Sequence, residues 1–96
     1  MRGERSFLIC YDISDAKRLR KVERITEGYG YRLQESVFFC RLSPLLKAKL
    51  MQKTLDVLHS KDDQFIIIDL GSDENILDDA VVLGKKIIKI PKITFI

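Results

Sequence analysis

The sequence predicts one α+β domain of the ferredoxin-like class, a βαββαβ sandwich carrying an extra C-terminal strand and built to work as a homodimer. Two observations predict the fold. Apolar, β-rich segments alternate with two amphipathic helical stretches in the order strand, helix, strand pair, helix, strand. Two helix-length connections in that order place both helices on one face of an antiparallel sheet. The dimer is expected from size: 96 residues form a single domain, 1–96, of the kind that buries a limited share of its own surface. At 46% hydrophobic and 32% charged, with five Gly and two Pro, the composition is that of a folded globule rather than a disordered chain.

The first element is Ser6 to Ile13 (SFLICYDI), a nearly unbroken apolar run ending on an aspartate and its isoleucine. That pattern predicts a central strand covered on both faces. Ser14 and Asp15 supply N-cap chemistry for the helix that follows. On that helix Leu19, Val22, Ile25 and Thr26 fall on one side, and Lys17, Arg20, Lys21 and Arg24 on the other. Arg18 breaks the division by projecting beside Ile25, so it must snorkel, pair with an acid or point at a partner.

Gly28 and Gly30 bracket the exit of this helix, a usual place for a glycine stop. Tyr31 to Leu42 (YRLQESVFFCRL) is β-rich and alternating, with Leu33, Val37 and Phe39 on one face and Ser36, Phe38 and Cys40 on the other. It is long for one strand and is read as a hairpin turning near Gln34–Ser36. Ser43-Pro44 opens the second helix, with Ser as N-cap and Pro at the first helical position. Leu46, Leu50, Met51, Leu55, Val57 and Leu58 are its expected buried face. Phe65 to Leu70 (FIIIDL) is the next core strand, closed by Gly71. Residues 72–79 form an acidic loop or short helical turn. Val81 to Leu83 and Lys85 to Ile90 are further strand candidates, and Pro91 separates the latter from Ile93 to Ile96.

Charge is segregated although its sum is only +3. The first helix is basic, residues 62–79 hold seven acids and no Lys or Arg, and four lysines return between Lys85 and Lys92. Such a distribution suggests one surface for a polyanion and an acidic loop elsewhere, while a basic helix face is equally a solvated one. Cys10 and Cys40 lie in apolar segments without metal-ligand spacing and are read as buried thiols in a reducing cytoplasm. No apolar run approaches the roughly 20 residues of a membrane helix, and no N-terminal stretch resembles a signal peptide.

The residues Tyr11-Asp12-Ile13-Ser14-Asp15, then Lys17-Arg18-Leu19-Arg20-Lys21-Val22, resemble the start of the smaller universal CRISPR-associated spacer-acquisition protein, a family also termed CRISPR-associated endoribonucleases. Tyr29-Gly30 followed by Arg32-Leu33-Gln34-Glu35-Ser36-Val37-Phe38 is similar to the family's YG-x-R-x-Q-x-S-V-F segment. The resemblance covers residues 6–42, is looser through the second helix and the FIIIDL strand, and degrades after Gly71; Phe39 stands where many members carry an acid. It implies antiviral CRISPR spacer acquisition by a homodimeric adaptor that bridges the CRISPR integrase and holds incoming DNA. It also implies a weak endonuclease activity on RNA or DNA that depends on Mg2+ or Mn2+ and is centred on Asp12.

By that resemblance Asp12 is the catalytic and metal-binding residue, with its copy in the second subunit supplying the other carboxylate near the two-fold axis. Read from the strand pattern alone, Asp12 could instead cap the following turn. Magnesium suits a single carboxylate because it keeps several waters and uses substrate phosphate. Arg18, Arg20 and Arg32 are the cations expected nearest phosphate, and solvated or salt-bridged surface positions are their plainer reading. Tyr11, Ser36 and Phe38 are supporting residues: the rings as base-stacking or core groups, with the core favoured for Phe38. Ser36 is read as a phosphate or Asp12 donor, or as a backbone hydrogen-bond partner. Asp15, Asp62, Asp63 and Asp69 are candidate helpers, though no spacing ties them to Asp12, and His59 is a remote candidate for a general base. The lysine-rich tail is read as a strand pairing with the partner subunit, the integrase or its own chain. Two other functions stay open: a stand-alone toxin-type metal-dependent ribonuclease on the same fold, and a non-catalytic RNA-binding ferredoxin-like module.

Overall fold

The structure, a computed structural model, describes residues 3–85 together with the backbone of Thr94 and Phe95. Its elements run β1 (Arg5–Asp12), α1 (Ala16–Glu27), β2 (Gly30–Gln34), β3 (Val37–Leu42), α2 (Pro44–Leu55), β4 (Gln64–Gly71), β5 (Val81–Val82) and β6 (Thr94–Phe95). The first four strands form one sheet in the order β2-β3-β1-β4, with every neighbouring pair antiparallel. This is the expected βαββαβ arrangement, with the hairpin turning at Glu35–Ser36. β5 and β6 pair in parallel as a separate two-stranded ribbon. The strand expected over Lys85–Ile90 lies outside the described residues apart from Lys85.

Both helices pack on one face of the sheet. The core between them consists of Phe7, Ile9 and Tyr11 from β1, Phe38, Cys40 and Leu42 from β3, Val22 from α1 and Leu50 from α2. Strand alternation turns Leu8, Cys10 and Asp12 to the opposite face. There Leu8 lies beside Phe39 and Ile68, and Cys10 beside Val37 and Ile66. Phe39 is covered, but Ile66 and Ile68 are 39% and 43% exposed and Tyr31 48%. The expectation of a central strand covered on both faces is therefore corrected: within one chain the helices cover only one. The same geometry corrects the reading of Cys10, which is half-buried on the open face, whereas Cys40 is fully buried.

Asp15 caps α1, its carboxylate accepting from the Arg18 N–H, and Ser43 caps α2 by accepting from the Leu46 N–H, with Pro44 in the first turn. The α2 face differs from the expected one. Leu50 is completely buried and Thr54 nearly so, whereas Met51 is 44% and Leu55 63% exposed. At about 100° per residue, Leu46 and Thr54 each lie about 40° from Leu50, but Met51 lies about 100° away and Leu55 about 140°. Val57 and Leu58 follow the helix and reach the core from the turn that their N–H groups make onto the Thr54 carbonyl.

Of the two glycines after α1, only one is required by its surroundings. Gly28 closes the helix at φ −72°, a conformation open to any residue. Gly30 pairs with Cys40, and a Cβ there would stand 2.3 Å from the Phe39 carbonyl oxygen and 2.5 Å from Cys40 Sγ.

Candidate nucleic-acid and metal site

The end of the sheet where β1 stops gathers three connections, the β1–α1 loop, the β2–β3 turn and the loop entering β4, together with the start of α1. Asp12 is the last residue of β1, exposed, and opposite Gln64 in the β4 register. Its carboxylate forms no hydrogen bond or ion pair with any described residue. The capping role open to it from sequence is filled by Asp15, whose carboxyl the Arg18 N–H holds below the usual carboxylate range. Asp12 is thus a carboxylate left available on the open side of the sheet.

Its neighbours along the chain are, by contrast, pinned on both sides. The Tyr11 N–H donates to the Ser36 carbonyl at 3.1 Å, tying the hairpin turn to β1. The Tyr11 ring is buried against Phe38 and Phe65, with centroids 6.1 and 6.0 Å away. Burial, with the nearby Glu23 charge, pushes its hydroxyl to a pKa of about 12. Phe38 has no exposed surface. Both rings therefore serve the core of the single chain, and neither face is offered to a base. The Ser36 contact with β1 is made by its backbone.

On the other side, Asp63 holds the loop after Asp12. Its side chain has no solvent exposure. It accepts from the Ser14 N–H at 3.0 Å, Ser14 Oγ at 3.2 Å, Arg18 Nε at 2.7 Å and Nη2 at 3.2 Å, and the His59 N–H at 2.9 Å. The Arg18 guanidinium, followed by these further donors, keeps the Asp63 carboxyl well below the carboxylate range. Arg18 is raised in turn by the same bond. Of the alternatives open to Arg18, pairing with an acid is the one observed, and its Nη1 makes no hydrogen bond within the described chain. The sequence offered Asp63 only as one of several acids around Asp12; its pairing with Arg18 was not legible, because 45 residues separate the two.

Arg32 also has carboxylate partners. Nη2 lies 2.6 Å from Glu23 and 3.2 Å from Glu27, Nη1 donates to the Glu35 carbonyl at 2.8 Å, and the guanidinium sits 5.1 Å over the Phe38 ring. It clamps the hairpin to α1. Arg20 is exposed on α1 and meets no partner among the described residues. Asp69 binds Arg5 at the far end of the sheet, and Asp62 pairs with the half-exposed His59 ring at 3.0 Å. Neither His59 nor any of the other carboxylates bonds to Asp12. Among the described residues no three His, Cys, Asp or Glu side chains converge to hold a metal ion.

A ferredoxin-like sheet, a basic first helix and an R-x-Q-x-S-V-F hairpin are the features in which the chain resembles the small CRISPR adaptation proteins. The family model for CRISPR associated protein Cas2 matches residues 5–75, and the chain belongs to that family. The CRISPR-associated endoribonuclease Cas2 of Geobacter sulfurreducens is 32% identical over 82 residues, covering 85% of this chain and 86% of that protein. The crystal structure of Streptococcus pyogenes Cas2 superimposes with a TM-score of 0.65 at 30% identity, over 69% of this chain and 86% of that one. A chain from a partial Cas6-RT-Cas1–Cas2 complex does so with a TM-score of 0.61 at 26% identity, over 79% and 87%.

Proposed function

We propose that this protein is the adaptor of CRISPR spacer acquisition: a cytoplasmic homodimer that bridges copies of the integrase and holds the incoming DNA. Relatives named CRISPR-associated endoribonucleases and a neighbour assembled with Cas1 support that reading. The observation that carries it is the placement of Asp12. Its carboxylate is exposed, has no protein partner among the described residues, and lies on the sheet face that the helices leave uncovered.

Two copies packed through that face would bury Tyr31, Ile66 and Ile68 and bring the two Asp12 residues toward one axis. One carboxylate per chain does not make a closed cage. It fits Mg2+ or Mn2+ held by two such residues, water and substrate phosphate, where the ion would neutralise charge on the phosphate. The protein's own contribution is positional. Asp63 and Ser14 fix the loop after Asp12, Ser36 fixes the residue before it, and Arg18 is preset with Nη1 free for a phosphate oxygen. Arg20 adds sequence-tolerant backbone contact. Arg32 reaches phosphate only by leaving Glu23 and Glu27. So sparse a site supports slow endonuclease activity on RNA or DNA.

The test is co-purification of the protein with its host's integrase, scored for capture of duplex DNA, in parallel with Mg2+-dependent cleavage assays. Wild type and Asp12→Asn are expected to form the same dimer and capture DNA equally, with cleavage lost in the variant. Undiminished cleavage by Asp12→Asn would remove the metal reading. Absence of any assembly, with cleavage intact in wild type, would make the protein a stand-alone nuclease.

A further inference from the structure

The helical side of the molecule carries a groove that the nucleic-acid reading does not use. α1 contributes Lys21 and Arg24 to its rim, and α2 contributes Lys49 and Lys53; the groove measures about 640 Å3. Its floor is apolar, formed by Ile25, Tyr29 and Leu46, which are partly buried where they pack onto the core. Gly28, just past the end of α1, lines it as well.

The charges of this rim are unbalanced. Arg5, Arg18, Arg32 and Arg41 each meet a carboxylate within 4 Å. Lys21, Arg24 and Lys49 meet none among the described residues, and Lys53 makes its contact with the Tyr29 ring, 5.1 Å below Nζ. Four cations around an apolar trough repel one another and hold the site ready for an anionic occupant.

We propose that this α1/α2 groove is a docking site for an acidic, amphipathic peptide segment of a partner protein, one that lays apolar anchors on Ile25, Tyr29 and Leu46 and sets Asp or Glu side chains against the lysine rim. The floor decides between anionic occupants. A phosphate backbone would use the cations but gain nothing from the exposed apolar surface, whereas a helix with anchors at i, i+3/i+4 and i+7 buries it. The basic residues at i and i+3 on α1 and at i and i+4 on α2 line the two walls between which such a segment would lie.

Fluorescence anisotropy tests this with three labelled probes: an 18-residue peptide carrying Leu anchors at helical spacing flanked by Glu and Asp, the same peptide with every Leu replaced by Ser, and a 20-base-pair DNA duplex. The Leu peptide is expected to bind the intact protein, and K49E/K53E to weaken it at least tenfold. Lys61→Glu/Lys85→Glu, which changes net charge equally outside the groove, is expected to leave it within twofold. Loss of the anchors should cost a further tenfold, and duplex binding should be unchanged in K49E/K53E. A duplex that loses affinity with K49E/K53E while the peptide does not bind would overturn the proposal in favour of a nucleic-acid surface. Equal binding of the Leu and Ser peptides, or no peptide binding, would overturn it outright. Matching thermal melts of the two double variants separate loss of the site from loss of the fold. Because the groove is remote from the Asp12 assays, failure here leaves the adaptor reading standing.

Discussion

Replacing Gly30 by alanine tests the packing logic of the motif that follows α1. The new methyl carbon would lie 2.3 Å from the Phe39 carbonyl oxygen, well inside contact distance, and that oxygen belongs to the β3 backbone rather than to a movable side chain. Relief requires β2 to move off β3, which strains the pairing of Gly30 with Cys40 and of Tyr31 with Phe39. Overpacking of this kind costs about 1–3 kcal/mol, and backbone involvement places it at the upper end. For a domain of this size, about 3 kcal/mol lowers the melting temperature by about 12–24 °C, read by circular dichroism. Adding Cys40→Ala removes the thiol that the methyl would also meet at 2.5 Å, but leaves the carbonyl in place, so it should not restore stability. A Gly30→Ala protein melting within 3 °C of wild type, or full rescue by Cys40→Ala, would refute the reasoning. Gly28→Ala is the control: at φ −72° a methyl is admitted with only a small adjustment against the Ile25 carbonyl, and the cost should stay below about 1 kcal/mol.

Further outcomes follow from α2 and from the titrating groups. Leu50→Ala should cost about 2–5 kcal/mol in urea unfolding and Leu55→Ala almost nothing, since the first side chain is fully buried and the second 63% exposed; equal losses would show that the helix is rotated from the described face. Thr54→Val should stabilise by about 1 kcal/mol, because the Thr54 hydroxyl is buried without a hydrogen-bond partner. Burial lifts the Tyr11 hydroxyl and the Cys40 thiol to about 12, so the unfolded chain releases these protons first as pH rises. Their contribution to stability is complete below the ordinary thiol and phenol values and is lost up to about pH 12. At pH 8 a thiol reagent should modify Cys10 and spare Cys40 until urea is added; equal rates in the native protein would contradict the burial. On the acid side, Asp63 works in the opposite sense. Its carboxyl is depressed in the fold, so its stabilisation is present above the ordinary carboxylate value and falls away as pH drops below it. Asp63→Asn should flatten that acid limb, read from melting temperatures between pH 6 and pH 3.

Local sequence was enough to place the strands and helices of the main sheet, the helix caps and the hairpin. Each rests on interactions within a few residues: Asp15 with the Arg18 N–H, Ser43 with the Leu46 N–H, and alternation along YRLQESVFFC. It also drew notice to Asp12 as a carboxylate ending an apolar strand, but left capping open as its role; that Asp15 does the capping was seen only in the folded chain. Periodicity alone did not resolve α2. A helix rich in leucines on several sides offers more than one apolar face, and only packing chose Leu46, Leu50 and Thr54 over Met51 and Leu55. The partners of the arginines were equally out of reach. Arg18 finds Asp63 across 45 residues, and Arg32 finds Glu23 and Glu27 on a different element. Ion pairs of that kind depend on how α1 lies over the sheet, a property of the assembled layers that no local pattern encodes. The tertiary structure likewise decided that the two helices cover one face of the sheet and, among the described residues, leave Tyr31, Ile66 and Ile68 exposed on the other. The composition of a strand reports how apolar its two sides are, but which side meets the helices and which awaits another surface is settled only when the layers pack.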